Sequence, residues 1–115
     1  MVIRKGSIYW VDFSPGKGSE SIGRRPGLVI QNDILNNSNL NTVLLIAMTS
    51  TMKFGELPGN VVLKKGEANL PKPCVVNVTQ IKSVDKRSIK EEIGTLTRER
   101  MDEVHGGLKL VMNLP

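Results

Sequence analysis

Two adjacent arginines, Arg24 and Arg25, stand before Pro26 and the apolar run Leu28-Val29-Ile30 in the stretch GSESIGRRPGLVIQND (18–33), with the carboxylate of Glu20 five residues ahead of Arg25. A guanidinium is a planar fork of donors that matches phosphate oxygens and keeps its charge across the pH range of proteins. Successive strand residues point to opposite faces, so one arginine of the pair is expected to face a shared site, and Arg25, beside the buried run, is the better anchored. A solvated pair, with Glu20 as an ordinary surface ion-pair partner, is the plain alternative. Further on, MTST (48–51) sets the hydroxyls of Thr49 and Ser50 at the end of an apolar strand. A strand end holds a hydroxyl rigidly, although threonine is common in strands for its β-propensity alone. NVTQIKS (77–83) adds Asn77, Thr79 and Gln80, with Lys82 beyond. Amides there can read base edges or can satisfy loop backbone. Of the consecutive rings Tyr9 and Trp10, one is expected in the core and the other outward, where it can stack a base.

Composition narrows the chemistry. The chain has one cysteine, Cys74, and one histidine, His105, so neither an internal disulfide, a Cys/His zinc cluster nor a two-histidine acid–base pair can be built within it. Cys74, in the apolar run CVVNV, reads as a buried, inert thiol, and His105, between Val104 and Gly106, as structural or exposed. The net charge of +5 is uneven: residues 1–90 hold 13 Lys and Arg against 6 Asp and Glu, whereas residues 91–115 hold 3 against 5. A basic body points to an anionic partner. No apolar run approaches the roughly 18 residues needed to span a bilayer, and MVIRKGSIYW lacks the apolar region of a secretory signal, so the expected compartment is the cytoplasm.

The elements that must position these groups are short. At 115 residues, with 39% hydrophobic and 23% charged residues, the chain is expected to form one domain, 1–115, with a single core. SIYWVDF (7–13) alternates and is rich in β-formers; a Gly/Ser/Pro loop (14–23) follows, and PGLVIQN (26–32) reads as a second strand with Pro26 at its first position. An Asn-rich turn or single helical turn (32–41) leads into TVLLIAMTS (42–50), an apolar run of strand length expected to be buried on both faces. One strand is expected around Asn60–Leu63, and CVVNVTQIKSVD (74–85) reads as a long strand or as two broken by a bend. The period then changes. Met101, Val104, Leu108 and Val111 share one helical face, Thr97 is a suitable N-cap, and Gly106-Gly107 in the middle predicts a bend or close packing. The fold class is mainly β (α+β): five to seven short strands in a small, strongly bent antiparallel barrel, with a C-terminal helix.

The stretch GSESIGRRPGLVIQND resembles the MazF/PemK family of toxin endoribonucleases, whose hallmark is a G-S/H-E loop, an Arg-Pro and a strand ending Gln-Asn-Asp. VIRKGSIYWVDFSP is similar to the family's opening strand, VLLIAMTS to the strand that ends in its Thr/Ser, and VVNVTQIKSVDK to the element with its Gln-Ile-Lys/Arg signature. EEIGTLTRERMDEVHGGLKLVM is similar to its I-G-x-L ending and helix. The likeness covers essentially the whole chain in order. It implies an SH3-like barrel of the MazF/PemK/CcdB type, a homodimer, cleavage of single-stranded RNA without metal or other cofactor, and neutralisation by a small acidic, MazE-like antitoxin. By the same likeness Arg25 and Thr49 take the catalytic positions. Ser19 and Glu20 match loop positions flanking the site, and Gln80 matches the motif glutamine on the RNA-facing side. Arg24 and Ser50 join these three as candidates for RNA contact. Two features depart from the pattern: Arg24, where relatives are often apolar, and Gly106-Gly107.

RNA carries its own nucleophile. Its 2′-hydroxyl can attack the adjacent phosphorus and expel the 5′-oxygen, leaving a 2′,3′-cyclic phosphate and a 5′-hydroxyl, so the protein must supply positioning and charge stabilisation. Arg25 and Thr49 suit that task; the general base stays unassigned, with Glu20 a candidate. The competing expectation is a CcdB-like, non-enzymatic toxin that grips a protein target such as DNA gyrase, and a third is an RNA-binding barrel without catalysis.

Overall fold

The computed structural model describes residues 1–13 and 23–115. Among the described residues six strands form one curled antiparallel sheet: β1 Ser7–Phe13, β2 Gly23–Val29, β3 Thr42–Thr49, β4 Val61–Leu63, β5 Cys74–Asp85 and β6 Ile89–Thr95. Their order across the sheet is β4-β5-β3-β2-β1-β6. A single helical turn, α1 Asp33–Asn36, joins β2 to β3, and α2 Arg98–Met112 follows β6. Each helix starts at a side-chain cap: Asn32 accepts from the Ile34 N–H, and Thr97 from the Arg100 N–H. No helix among the described residues is long and apolar enough to cross a membrane.

Strand alternation sorts the apolar residues onto two faces. Ile8, Leu28, Ile46 and Met48 join Val76, Val78 and the helix residues Val104 and Leu108 in one cluster. Tyr9, Val11, Val29, Val43, Leu45 and Ala47 form a second cluster, covered by Ile3 and Ile89. The long apolar run of β3 is therefore explained by burial on both faces, with Leu44 near its start exposed. Tyr9 is 1% exposed, and its hydroxyl donates to the Val2 carbonyl and accepts from the Arg4 N–H, so a buried polar atom is satisfied locally.

Curling brings the two ends of the sheet together without a hydrogen-bonded ladder. A turn at Glu67–Asn69, between β4 and β5, presses its Ala68 carbonyl against Gly94 of β6; a Cβ on Gly94 would lie 2.1 Å from that oxygen. The same turn is tied to α2, because Arg100 donates from Nε and Nη2 to the two carboxylate oxygens of Glu67 at 2.9 and 3.1 Å. Where Gly106-Gly107 predicts a bend or close packing, α2 is continuous and the packing is close. A Cβ on Gly107 would lie 2.1 Å from the Gly59 carbonyl oxygen, while one on Gly106 would meet nothing within 4 Å.

The second strand is displaced from the expected 26–32: β2 ends at Val29, and it begins at Gly23 because Arg24 and Arg25 pair with Asp12 and Val11 of β1. The β2–β3 ladder starts only at Gly27, so Pro26 sits in a stretch paired on one side, where its missing N–H is tolerated. Strand β6, IKEEIGT, has Ile89 and Ile93 among charged neighbours, too weak an alternation to be read beforehand. Of the two readings of 74–85, the single long strand is the one observed, and it carries a register shift: Ile46 of β3 faces Ile81, but Met48 faces Val76. A step of two residues on β3 is matched by five on β5, and the surplus lies at residues 77–80.

Candidate active site

Three strands and one turn converge on the end of the sheet. On β2, Arg25 lies opposite Val11, whose side chain is fully buried, so the base of the arginine is anchored beside the second apolar cluster. The β2–β3 ladder ends with Gly27 opposite Ala47, and just beyond that last pair Arg25 and Thr49 line the same cleft. The surplus residues of β5 bring Asn77 and Gln80 to the same place, and a short 3₁₀ turn, Met52–Glu56, contributes Phe54. Arg25, Thr49, Thr51, Phe54, Asn77 and Gln80 thus line one cleft of about 180 Å³.

Hydrogen bonds fix the walls. Thr51 N–H donates to Thr49 Oγ1 at 3.1 Å, which occupies an acceptor site of the hydroxyl and leaves its own hydrogen to donate. Asn60 joins the two walls: its Nδ2 donates to the Phe54 carbonyl at 2.9 Å and to Asn77 Oδ1 at 3.2 Å, and its Oδ1 accepts from the Val78 N–H at 3.0 Å. Thr79 Oγ1 also donates to Asn77 Oδ1. Thr51 belongs to the MTST motif, whereas Asn60 and Phe54 escaped the sequence reading as site residues. Nothing in LPGN links residue 60 to a strand bend 17 and 18 residues later; the residues meet only once β4 pairs with β5, setting Val61 opposite Val76.

The remaining candidates fall elsewhere. Arg24 lies on the face opposite Arg25, over the Trp10 ring at 5.7 Å and ion-paired with Glu91. With Trp10, Ser50 and Lys72 it lines a neighbouring hollow of about 400 Å³, which shares Arg25 and Met48 with the cleft. Thr49 and Ser50, adjacent in sequence, are divided between the two depressions. Ser19 and Glu20 lie outside the described residues. Cys74 is buried, and burial pushes its thiol above the ordinary value. His105 lies on α2 beside Lys5, Asp33 and Asp102, away from the cleft, and burial disfavours its protonation. Among the described residues no three His, Cys, Asp or Glu side chains gather as a metal-binding group.

This arrangement offers a cation and a hydroxyl donor across a narrow cleft, with amides around its rim, which suits an anionic, hydrogen-bonding ligand such as a phosphodiester. The chain is 41% identical over 114 residues to "Endoribonuclease MazF2" of Mycobacterium bovis and, equally, to "Endoribonuclease MazF6" of Mycobacterium tuberculosis, covering 99% of this chain and 100% of each relative. The crystal structure of MazF (Form-I) from Deinococcus radiodurans superposes with a TM-score of 0.82 at 27% identity, covering 99% of both chains. That of MazE-MazF (Form-III) from the same organism superposes with a TM-score of 0.77 at 25% identity over the full length of both. Residues 4–112 match the family described as the PemK-like, MazF-like toxin of type II toxin–antitoxin systems, and the chain belongs to that family.

Proposed function

We propose that this chain, acting as one toxin domain over residues 1–115, is an endoribonuclease that cleaves single-stranded RNA and thereby stops translation. The observation that carries the reading is one cleft lined by Arg25, Thr49 and Gln80, in a chain 41% identical to named endoribonucleases over its whole length. The substrate's 2′-hydroxyl attacks the neighbouring phosphorus while the bond from phosphorus to the 5′-oxygen breaks. The 2′-hydroxyl proton passes to a base, the departing 5′-oxygen gains a proton, and the products end in a 2′,3′-cyclic phosphate and a 5′-hydroxyl. Arg25 neutralises charge on the non-bridging oxygens, and Thr49 donates a hydrogen bond to them. Removing one such donor typically costs about 10²–10³ in rate. Arginine stays protonated and is unsuited to be the base; Glu20 is the candidate for that role. Ser19, Arg24, Ser50 and Gln80 are assigned to RNA contact.

The step requires no metal, because the nucleophile comes with the substrate. Neutralisation by an acidic antitoxin is supported by the family to which the chain belongs and by a relative solved as MazE-MazF. A homodimer is supported by the exposed apolar end of α2, where Leu110, Val111 and Met112, followed by Leu114, are 39–59% exposed. The proposed site of action is the cytoplasm.

The test is incubation of the purified chain with a long single-stranded RNA in EDTA, followed by mapping of the cut sites and their end groups. Cleavage with cyclic-phosphate ends, abolished in Arg25→Ala and Thr49→Ala, is expected. RNA left whole across many sequences would sink the proposal and favour a protein-binding toxin.

A further inference from the structure

Among the described residues Trp10 belongs to neither apolar cluster, whereas its neighbours Tyr9 and Val11 are fully engaged in one of them. It stands opposite Pro26, half-buried, at the edge of the hollow of about 400 Å³ that also includes Arg24, Met48, Ser50 and Lys72. Three features of that hollow point the same way. Among the described residues its lining includes three cations, Arg24, Arg25 and Lys72, and no carboxylate. Its wall is continuous with the cleft, since Arg25 and Met48 line both. Its one large aromatic face is covered by a guanidinium that is itself held by an exposed ion pair, Arg24 with Glu91, whose side chains are 49% and 70% exposed.

An ion pair that exposed adds little to stability, so a phosphate can take its place at little cost. A guanidinium binds phosphate oxygens through two parallel hydrogen bonds, a stronger arrangement than its contact with a solvated carboxylate. Cations that track a backbone beside an aromatic ring on which a base stacks are the recurring means of holding single-stranded nucleic acid. We infer that the Trp10 hollow is a second nucleotide subsite: a nucleotide next to the cleaved phosphate stacks its base on Trp10, and a phosphate of the same strand takes Arg24 from Glu91. The inference rests on the endoribonuclease reading for the identity of its ligand. It answers why two arginines stand together: they serve opposite faces of β2, Arg25 the cleaved phosphate and Arg24 its neighbour.

Trp10 is the only tryptophan of the chain, so its fluorescence reports on this hollow alone. The probe is an RNA oligonucleotide spanning a mapped cut site, with a 2′-deoxy substitution at the attacking nucleotide so that it binds without reacting. A second set carries one abasic position at each nucleotide flanking the cut. The intact probe is expected to change Trp10 emission, and one abasic position is expected to remove that change and weaken binding by about tenfold or more. Trp10→Leu should bind the intact and abasic probes equally. Glu91→Gln should tighten binding in the parent chain and do nothing in an Arg24→Gln background. The subsite is overturned if an RNA that the chain binds and cuts leaves Trp10 emission unmoved, or if an acidic peptide changes the emission and RNA does not. Emission changes with single-stranded RNA of mixed sequence, none of which is cut, would instead keep the subsite and remove the nuclease reading.

Discussion

At the scale of single residues, the site depends on which of two neighbours faces which way. Thr49 and Ser50 carry the same functional group one position apart, yet they line different depressions. Thr49 is further distinguished because the Thr51 N–H occupies its oxygen and orients the hydroxyl. Replacing Thr49 with valine keeps the shape and the β-branch but removes the donor. In single-turnover cleavage of RNA, Thr49→Val is expected to lower the rate by about 10²–10³ while leaving substrate affinity within a few-fold, because the lost bond is made to charge that develops in the transition state. A Thr49→Val enzyme that cuts at the parent rate would remove threonine from the mechanism. Arg25→Lys tests the same geometry from the other side: it keeps the charge and loses the fork, so it should resemble Arg25→Ala more than the parent chain. That Arg24 and Arg25 fall on opposite faces could be read from sequence, because successive strand residues alternate. Asn60 could not be found that way, since its value lies in bridging Phe54 to Asn77 and Val78 across a pairing that sequence does not display.

At the scale of elements, the informative positions are those where backbone approaches backbone. The strands 7–13 and 42–49 and the terminal helix were legible because their period and apolar content are strong. The start of β2 was misplaced by three residues because charge and a proline are normally signs of a loop, and only pairing with β1 overrides them. The glycine pair in α2 could be flagged but not resolved, since both glycines carry the same propensity cost and differ only in what they face. Gly106→Ala adds a methyl into open space and should raise stability by about 1 kcal/mol through helix propensity. Gly107→Ala drives a Cβ into the Gly59 carbonyl and should lower stability by about 1–3 kcal/mol as the helix is pushed off β4 and β5. Urea midpoints of the two variants should therefore move in opposite directions from the parent. Movement in the same direction would mean that the α2 contact with Gly59 is not maintained in solution.

At the scale of the whole molecule, charge does two separate jobs. Some of it closes the fold. The Glu67 carboxylate is held below its ordinary value of 4.5, chiefly by the Arg100 guanidinium and then by the Lys64 N–H. A carboxylate with a depressed folded-state pKa contributes stability that is complete above the unfolded value and is lost as pH falls through the folded value. Glu67→Gln should accordingly be less stable than the parent near neutrality, with the gap closing as pH drops well below 4.5; a gap that persists in acid would assign the effect to packing of the turn instead. The rest of the charge serves the proposed ligand. Residues 1–90 hold 13 cations against 6 anions, yet among the described residues the cations that line the cleft and its neighbouring hollow are three: Arg24, Arg25 and Lys72. Each phosphate neutralised on a single strand contributes about −0.7 to the slope of log affinity against log salt. If those three make the contacts, the slope for a short non-cleavable RNA should be near −2 and should shrink by about 0.7 in Arg24→Gln and in Lys72→Gln. Lys5→Gln, which removes an equal charge beside His105 on another surface, should leave the slope unchanged. Equal losses from all three variants would show that RNA is drawn by net charge alone, and the two depressions would then have no claim to be the path of the strand.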